Sequence, residues 1–181
     1  VLAFQPEGSI VAINARYGTT HLVAEACVYP WVGTLPPDQR AWLDANRAVI
    51  VANLAPDMIA VNTVRKAVKA GYGITVCTER DPSLTDVTRA WLAYWQIPGA
   101  GQAAVVGPGG KEALLERHGA GDPAVLIDDS PHNEALARPG VSVWVPPRPW
   151  TPAGDPSPGV WRFTEWRDVR KKLGLQARLN S

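Results

Sequence analysis

Apolar and polar positions along this chain fall into alternating periods, and each change of period marks an element. Val61, Val64 and Val68 recur at three- and four-residue steps, the spacing of one helical face. Pro56 and Asp57 open that helix, Arg65, Lys66 and Lys69 fall in its later turns where cations complement the dipole, and Gly71 ends it. Ile74-Thr75-Val76-Cys77-Thr78 follows, short and β-branched, and predicts a strand. The alternation then repeats. Residues 83–95 form a predicted helix with Leu84, Val87, Trp91 and Trp95 on one face and Ser83 and Asp86 at capping-box spacing. Residues 103–106 predict a strand, and 111–118 a helix that Gly109 and Gly110 lead into and Gly119 closes. A strand over 124–128, a helix over 131–137 with Ser130 as N-cap, and a strand over 141–145 come next. Thr164 is the predicted cap of a last helix that turns Trp166, Val169 and Leu173 inward and stops at Gly174.

The first third is less regular. Val1-Leu2-Ala3-Phe4 predicts a short buried strand, Gln5-Pro6-Glu7-Gly8-Ser9 a turn, and the weak alternation over 10–13 a small hairpin or flap. Residues 17–48 read as mostly helical with a break at 33–37, where Pro37 and Asp38 start a helix carrying Trp42 and Leu43. The proline-rich stretch 146–158 is expected to be ordered only by docking on its neighbours. Strands alternating with helices predict an α/β fold, a doubly wound parallel sheet in one domain over 1–181, without an internal repeat. Right-handed crossovers put the C-terminal ends of the strands on one edge.

Composition narrows the function classes. The chain has 181 residues, 46% hydrophobic and 19% charged, which is a globular balance. A formal net charge of +1 with scattered Lys and Arg argues against a surface built to neutralise nucleic-acid phosphates. No apolar run approaches membrane-spanning length, and the first residues lack the charged region of a signal peptide, so a cytoplasmic location is expected. Cys27 and Cys77 form no metal spacing, and Cys77 reads as a small core residue inside a strand. Eight tryptophans point to a large apolar surface somewhere.

The stretch with most chemistry is Ala124-Val125-Leu126-Ile127-Asp128-Asp129-Ser130-Pro131-His132-Asn133, an apolar run ending in two carboxylates. At the C-terminal end of a parallel strand such a pair suits a hard cation such as Mg²⁺. The ordinary reading, one aspartate capping the helix and the other solvated, stays open beside it. Thr78, Lys111 and the pair Asp128/Asp129 all follow predicted strand ends, so they should converge at one edge, facing the turn at 5–8. Singly, Lys111 is an ordinary first-turn lysine and Thr78 an ordinary strand-end residue. Together they are the parts of a phosphoryl site: a hydroxyl, a fixed positive charge and carboxylates.

That order resembles the haloacid dehalogenase superfamily, and within it the 5'(3')-deoxyribonucleotidase-like phosphatases. The strand ending in Thr78 matches the second motif, Lys111 the lysine motif, and the run from Leu126 to Asn133 the acidic motif. Pro149-Trp150-Thr151, Gly159-Val160 and a helix with Trp166 resemble the family's tail. The resemblance implies phosphate binding by Gly8, Thr78 and Lys111, Mg²⁺ at Asp128 and Asp129, and a small helical cap at 14–55. The first motif departs from the pattern. Where the family carries Asp-x-Asp-Gly, this chain has Gln5-Pro6-Glu7-Gly8, so Gln5 stands at the nucleophile position and Glu7 at the general acid/base position. An amide cannot accept the phosphoryl group as the carboxylate does, and it removes a negative charge from the metal site.

The resemblance therefore implies a weakly active or inactive relative that keeps a small phosphate-bearing molecule or nucleotide as ligand, or serves as a structural or partner-binding module. The other reading is an active Mg²⁺-dependent phosphomonoesterase with an unusual first motif. A Walker A site is excluded by Val105 and Glu112 where Gly and Ser or Thr are needed, and a receiver domain by its acidic pair coming first. His132 reads as a surface-helix residue and His118 as a partner of a helix dipole. Tyr17, Trp31 and Trp42 are candidates to stack a base, although core packing of the cap is their commoner role.

Overall fold

A computed structural model describes residues 5–22, 31–106, 109–117 and 123–175, with the side chains of Gln5, Pro6, Glu7 and Trp31 not among the described parts. The strand expected over 1–4, Cys27, His118 and the helix stop at Gly119 lie outside the described residues.

Residues 5–13 correct the sequence reading. In place of a turn and a flap they begin a continuous helix, α1 (Gln5–Tyr17). Ile10, Ile13 and Tyr17 stand three and four residues apart and share one face; Ile10 and Ile13 are buried. A four-residue alternation is too short to separate period 2 from period 3.6. Pro6 costs no hydrogen bond there, because the first N–H groups of a helix have no intrahelical partner. Gly8 allows a close approach: a Cβ at this position would overlap the end of the Leu54 side chain, which would have to shift. A 3₁₀ turn (Trp31–Thr34) leads to α2 (Pro37–Ala52), which starts at Pro37 as expected and buries Leu43, Ile50 and Val51. α1 and α2 close on one apolar cluster of Ile10, Ile13, Leu35, Leu43, Ile50 and Trp150.

The rest of the chain is mixed α/β, with its strands paired in parallel in two small sheets. α3 (Met58–Lys69) is N-capped by Asp57, whose carboxylate accepts from the N–H groups of Ile59 and Ala60 at 2.8 and 3.0 Å. β1 (Cys77–Thr78) pairs with β2 (Ala104–Val105) over two residues each, shorter than the apolar runs around them. Between them α4 (Thr85–Tyr94) follows a 3₁₀ turn (Pro82–Leu84), and Asp81 caps that turn by accepting from Ser83 N–H at 2.9 Å. The expected Ser83–Asp86 box is thus displaced by an aspartate two residues upstream of Ser83.

α5 (Gly110–Arg117) precedes β3 (Ala124–Ile127), which pairs with β4 (Val141–Val145), and β4 pairs with β5 (Val160–Arg162). β5 was not anticipated as a strand; three residues after a proline-rich loop carry too little pattern to be seen. The segment after β3 is a 3₁₀ helix (Pro131–Leu136) rather than an α-helix, and the Ser130 side chain does not cap it. α6 (Trp166–Lys172) is fixed at its start by Asp168, which accepts from Thr164 Oγ1 at 2.7 Å and Glu165 N–H at 3.0 Å. The proline-rich loop is held by docking, as expected. Trp150 Nε1 donates to the Asp129 carbonyl at 2.7 Å, and Arg162 Nη1 donates to the Pro152 and Gly154 carbonyls at 2.8 Å each.

A groove of about 280 Å³ separates the two sheets. One wall is every residue of 73–78 and the other every residue of 125–129. A strand that shows its face contributes alternate residues, so two consecutive runs mean two strand edges facing one another. The described partners agree, since β1 has only β2 beside it and β3 only β4.

Candidate functional site

Four of the residues singled out in the sequence meet at one end of that groove. Thr78 closes β1, Asp128 and Asp129 follow β3, and Lys111 stands in the first turn of α5; all four line the cavity. Lys111 Nζ lies 2.7 Å from Asp128 Oδ2 and 3.1 Å from Glu79 Oε2, so it ties the residue after β1 to the residue after β3. The C-terminal ends of the two strands therefore lie together. In sequence Lys111 is unremarkable; in the structure it is buried. A buried ammonium needs partners, and it has two carboxylates.

Asp128 is equally engaged. Its Oδ1 accepts from Ser130 N–H at 2.8 Å and from Asn133 Nδ2 at 3.0 Å, while Oδ2 faces Lys111. Burial alone would push this carboxyl up, but Lys111, Ser130 N–H and Asn133 outweigh it and hold the group below the usual carboxylate range. Burial likewise works against the Lys111 charge, and Asp128 and Glu79 overcome it, holding the ammonium above its ordinary value. Asp129 is half-buried, with its Oδ2 3.8 Å from Arg148 Nε.

Two participants carried no signal in the sequence. Glu79 is an unpatterned residue beyond a strand, and only the fold brings it to Lys111. Arg80 also lines the cavity, its Nη1 donating to the buried Thr88 hydroxyl at 3.2 Å. Other expected residues fall elsewhere. Gly8 packs against Leu54 in α1 and is not in the cavity wall; the side chains of Gln5 and Glu7 are outside the described parts. His132 is exposed on its 3₁₀ helix. Tyr17 and Trp42 meet edge to face at 6.1 Å against the α1–α2 cluster, which is core packing. Cys77 is half-buried beside the cavity, and burial pushes its thiol up.

The tryptophans whose side chains are described pack inward. Trp91, Trp144, Trp150 and Trp166 are buried, and Trp42, Trp95 and Trp161 half-buried. No described helix is long and apolar enough to cross a membrane. No group of three or more His, Cys, Asp or Glu side chains poised for a metal occurs among the described residues. The carboxylates fit Mg²⁺ poorly as arranged, because Asp128 has both oxygens bonded to donors and Asp129 faces a guanidinium. Comparison with protein-family models and with curated proteins finds no match to this chain.

Proposed function

We propose that this chain is a haloacid-dehalogenase-like protein, related to the nucleotide phosphatases, that binds a phosphate-bearing small molecule or nucleotide and turns it over weakly or not at all. The observation that carries this reading is Lys111 bridging Glu79 and Asp128 beside Thr78. Three segments far apart in sequence bring a hydroxyl, a cation and a carboxylate to the C-terminal edge of parallel strands, in the order the resemblance requires. Such an edge is where open α/β sheets bind ligands.

On the same reading the two sheets are parts of one doubly wound sheet. Among the described residues β1 and β3 each leave one edge toward the groove without a strand partner, and Val1-Leu2-Ala3-Phe4 is an apolar segment directly ahead of α1. The start of α1 is near that groove: Gly8 abuts Leu54, and the Leu54 carbonyl accepts from Trp91 Nε1, in the groove wall, at 2.7 Å. A strand there would deliver Gln5 to the end occupied by Thr78, Lys111 and Asp128. The α1–α2 layer then supplies the cap, with α1 running through residue 14 rather than starting after it.

Gln5 gives the reading its functional content. The amide lacks the charge of the family's aspartate and stands one methylene further from the backbone, so it neither accepts a phosphoryl group nor helps hold Mg²⁺. Asp128 and Asp129, already engaged by Lys111, Ser130, Asn133 and Arg148, offer Mg²⁺ at most a weak site. Lys111 supplies a fixed positive charge, and Thr78 a hydroxyl for a phosphate oxygen.

Steady-state hydrolysis of a panel of nucleoside monophosphates tests this, with wild type beside Gln5→Asp/Glu7→Asp. Wild type should be near background and the double variant faster by orders of magnitude, because a nucleophile and a metal-site charge return together. Robust wild-type turnover that Asp128→Asn abolishes would establish the active phosphomonoesterase instead.

A further inference from the structure

We propose that Arg80 is the anion-recognition residue of this cavity and takes the ligand's phosphate group in a bidentate grip. The inference rests on the reading above for its ligand class but not for its residue, which the resemblance does not supply. It begins with a balance of charge. Lys111 is matched twice over, by Asp128 at 2.7 Å and Glu79 at 3.1 Å, so it does not by itself balance the charge of an incoming anion and a second cation is needed beside it. Asp129 has Arg148 at 3.8 Å. Arg80 differs from both cations. It lines the same cavity, and no carboxylate among the described residues comes within ion-pair distance of it.

The environment of Arg80 sharpens the point. Its one hydrogen bond among the described residues is Nη1 to Thr88 Oγ1 at 3.2 Å. Thr88 is buried on α4 and lines the same cavity, so the contact fixes the guanidinium at the cavity wall and uses only one of its donor groups among the described residues. Burial lowers the guanidinium from its ordinary value, and the through-space field of Asp129 only partly offsets this. A desolvated cation held in place without a counter-ion is a site that gains from an anion. A planar fork of parallel N–H donors matches two oxygens of a phosphate, which an ammonium cannot do. Thr78, two residues earlier, lines the same cavity and supplies a hydroxyl there.

Arg162 and Arg47 show the contrast, whereas Arg65, Arg89 and Arg170 donate to backbone carbonyls or a hydroxyl outside the cavity. Arg162 grips Glu134 through Nε and Nη2 at 2.9–3.1 Å, and Arg47 meets Asp44 at 2.6 Å. In those places the chain supplies the anion itself; at Arg80 the ligand does.

Calorimetric titration with inorganic phosphate and with a nucleoside monophosphate, on wild type, Arg80→Gln and Arg80→Lys, decides the assignment. Arg80→Gln should weaken phosphate about tenfold or more, the scale of one charge-assisted pair, and Arg80→Lys should fall between, keeping the charge without the fork. A second measurement needs no variant: the Arg80 Nε–H signal of the wild-type protein should shift on phosphate addition, in step with saturation. Phosphate or nucleotide bound equally by all three proteins, with an unmoved Arg80 signal, overturns the role of Arg80 and leaves the nucleotidase-like reading standing. Phosphate bound through Arg80 without any nucleotide binding keeps the role and removes the nucleotide. A wild type that binds neither overturns both.

Discussion

The sheet of β3, β4 and β5 and the sheet of β1 and β2 differ in how they are held. In the first, β4 pairs with β3 over four residues and with β5 over three, and Val143 and Val145 are almost wholly buried. One side carries an aromatic layer of Trp144, Trp161, Phe163 and Trp166, with Lys172 Nζ 4.5 Å above the Trp161 ring. In the second, two residues pair on each strand and all four are half-buried. The first sheet stands on apolar packing on both its faces. The second is tied to it at the strand ends by a buried ion pair, Lys111 with Asp128, and by Glu79. Apolar burial is non-directional and tolerant; an ion pair out of water depends on every partner being present. The candidate site lies along that electrostatic joint, where the cations and carboxylates had to be brought together in any case.

The contrast can be broken most forcefully by removing residues 1–4. If that segment completes the groove between β1 and β3, its loss exposes both edges and the apolar contacts of Val1, Leu2 and Phe4. At about 1.5–3 kcal/mol for each large side chain buried, the denaturant midpoint should fall by most of the stability of the protein. An unchanged midpoint would show that the two sheets do not need the segment.

Severing the joint comes next. Lys111→Met leaves Asp128 and Glu79 without their shared cation, and removing one partner of a buried pair costs about 3–5 kcal/mol. Chemical denaturation checks the figure. A loss below about 1 kcal/mol would mean that the pair behaves as an exposed one.

Within the sheets the expected effects are smaller and unequal. Val143→Ala, at a fully buried position of β4, should cost about 2 kcal/mol, the lost transfer energy plus a small cavity. Val105→Ala, half-buried on β2, should cost less than half of that. Equal losses would erase the distinction between the sheets.

The smallest effect is that of pH. Asp128 is held below its ordinary value, so its contribution is complete above about pH 3.9 and is lost as pH falls through its folded value. Lys111 is held above its ordinary value, so its contribution is complete below about pH 10.4 and is lost as pH rises through its folded value. Thermal midpoints should form a plateau between these limits, with an acid limb that Asp128→Asn makes shallower. An acid limb of the same depth in Asp128→Asn would place the titrating group elsewhere.

Much of this was legible in the sequence because it rests on local rules. Asp57 caps α3, Pro37 starts α2, and the run from Ala124 to Ile127 is β3, since period and capping are written in neighbouring residues, although α3 buries Ala60, Val61, Thr63 and Ala67 and leaves Val68 exposed. Thr78, Lys111 and Asp128 could be expected at one edge because parallel strands joined by right-handed crossovers leave no other place for their ends. The structure alone decided what those residues face. Whether 5–13 turns or coils depended on α2 and Leu54 offering an apolar wall. That the Ser130 side chain leaves the 3₁₀ helix uncapped, while its N–H donates to Asp128, is a matter of the tertiary arrangement. Glu79 reaches Lys111 and Arg80 reaches Thr88 across contacts that no pattern of spacing encodes. Local order follows from the energies of adjacent residues. The pairing of buried charges is fixed only when distant segments share a volume from which water has been removed.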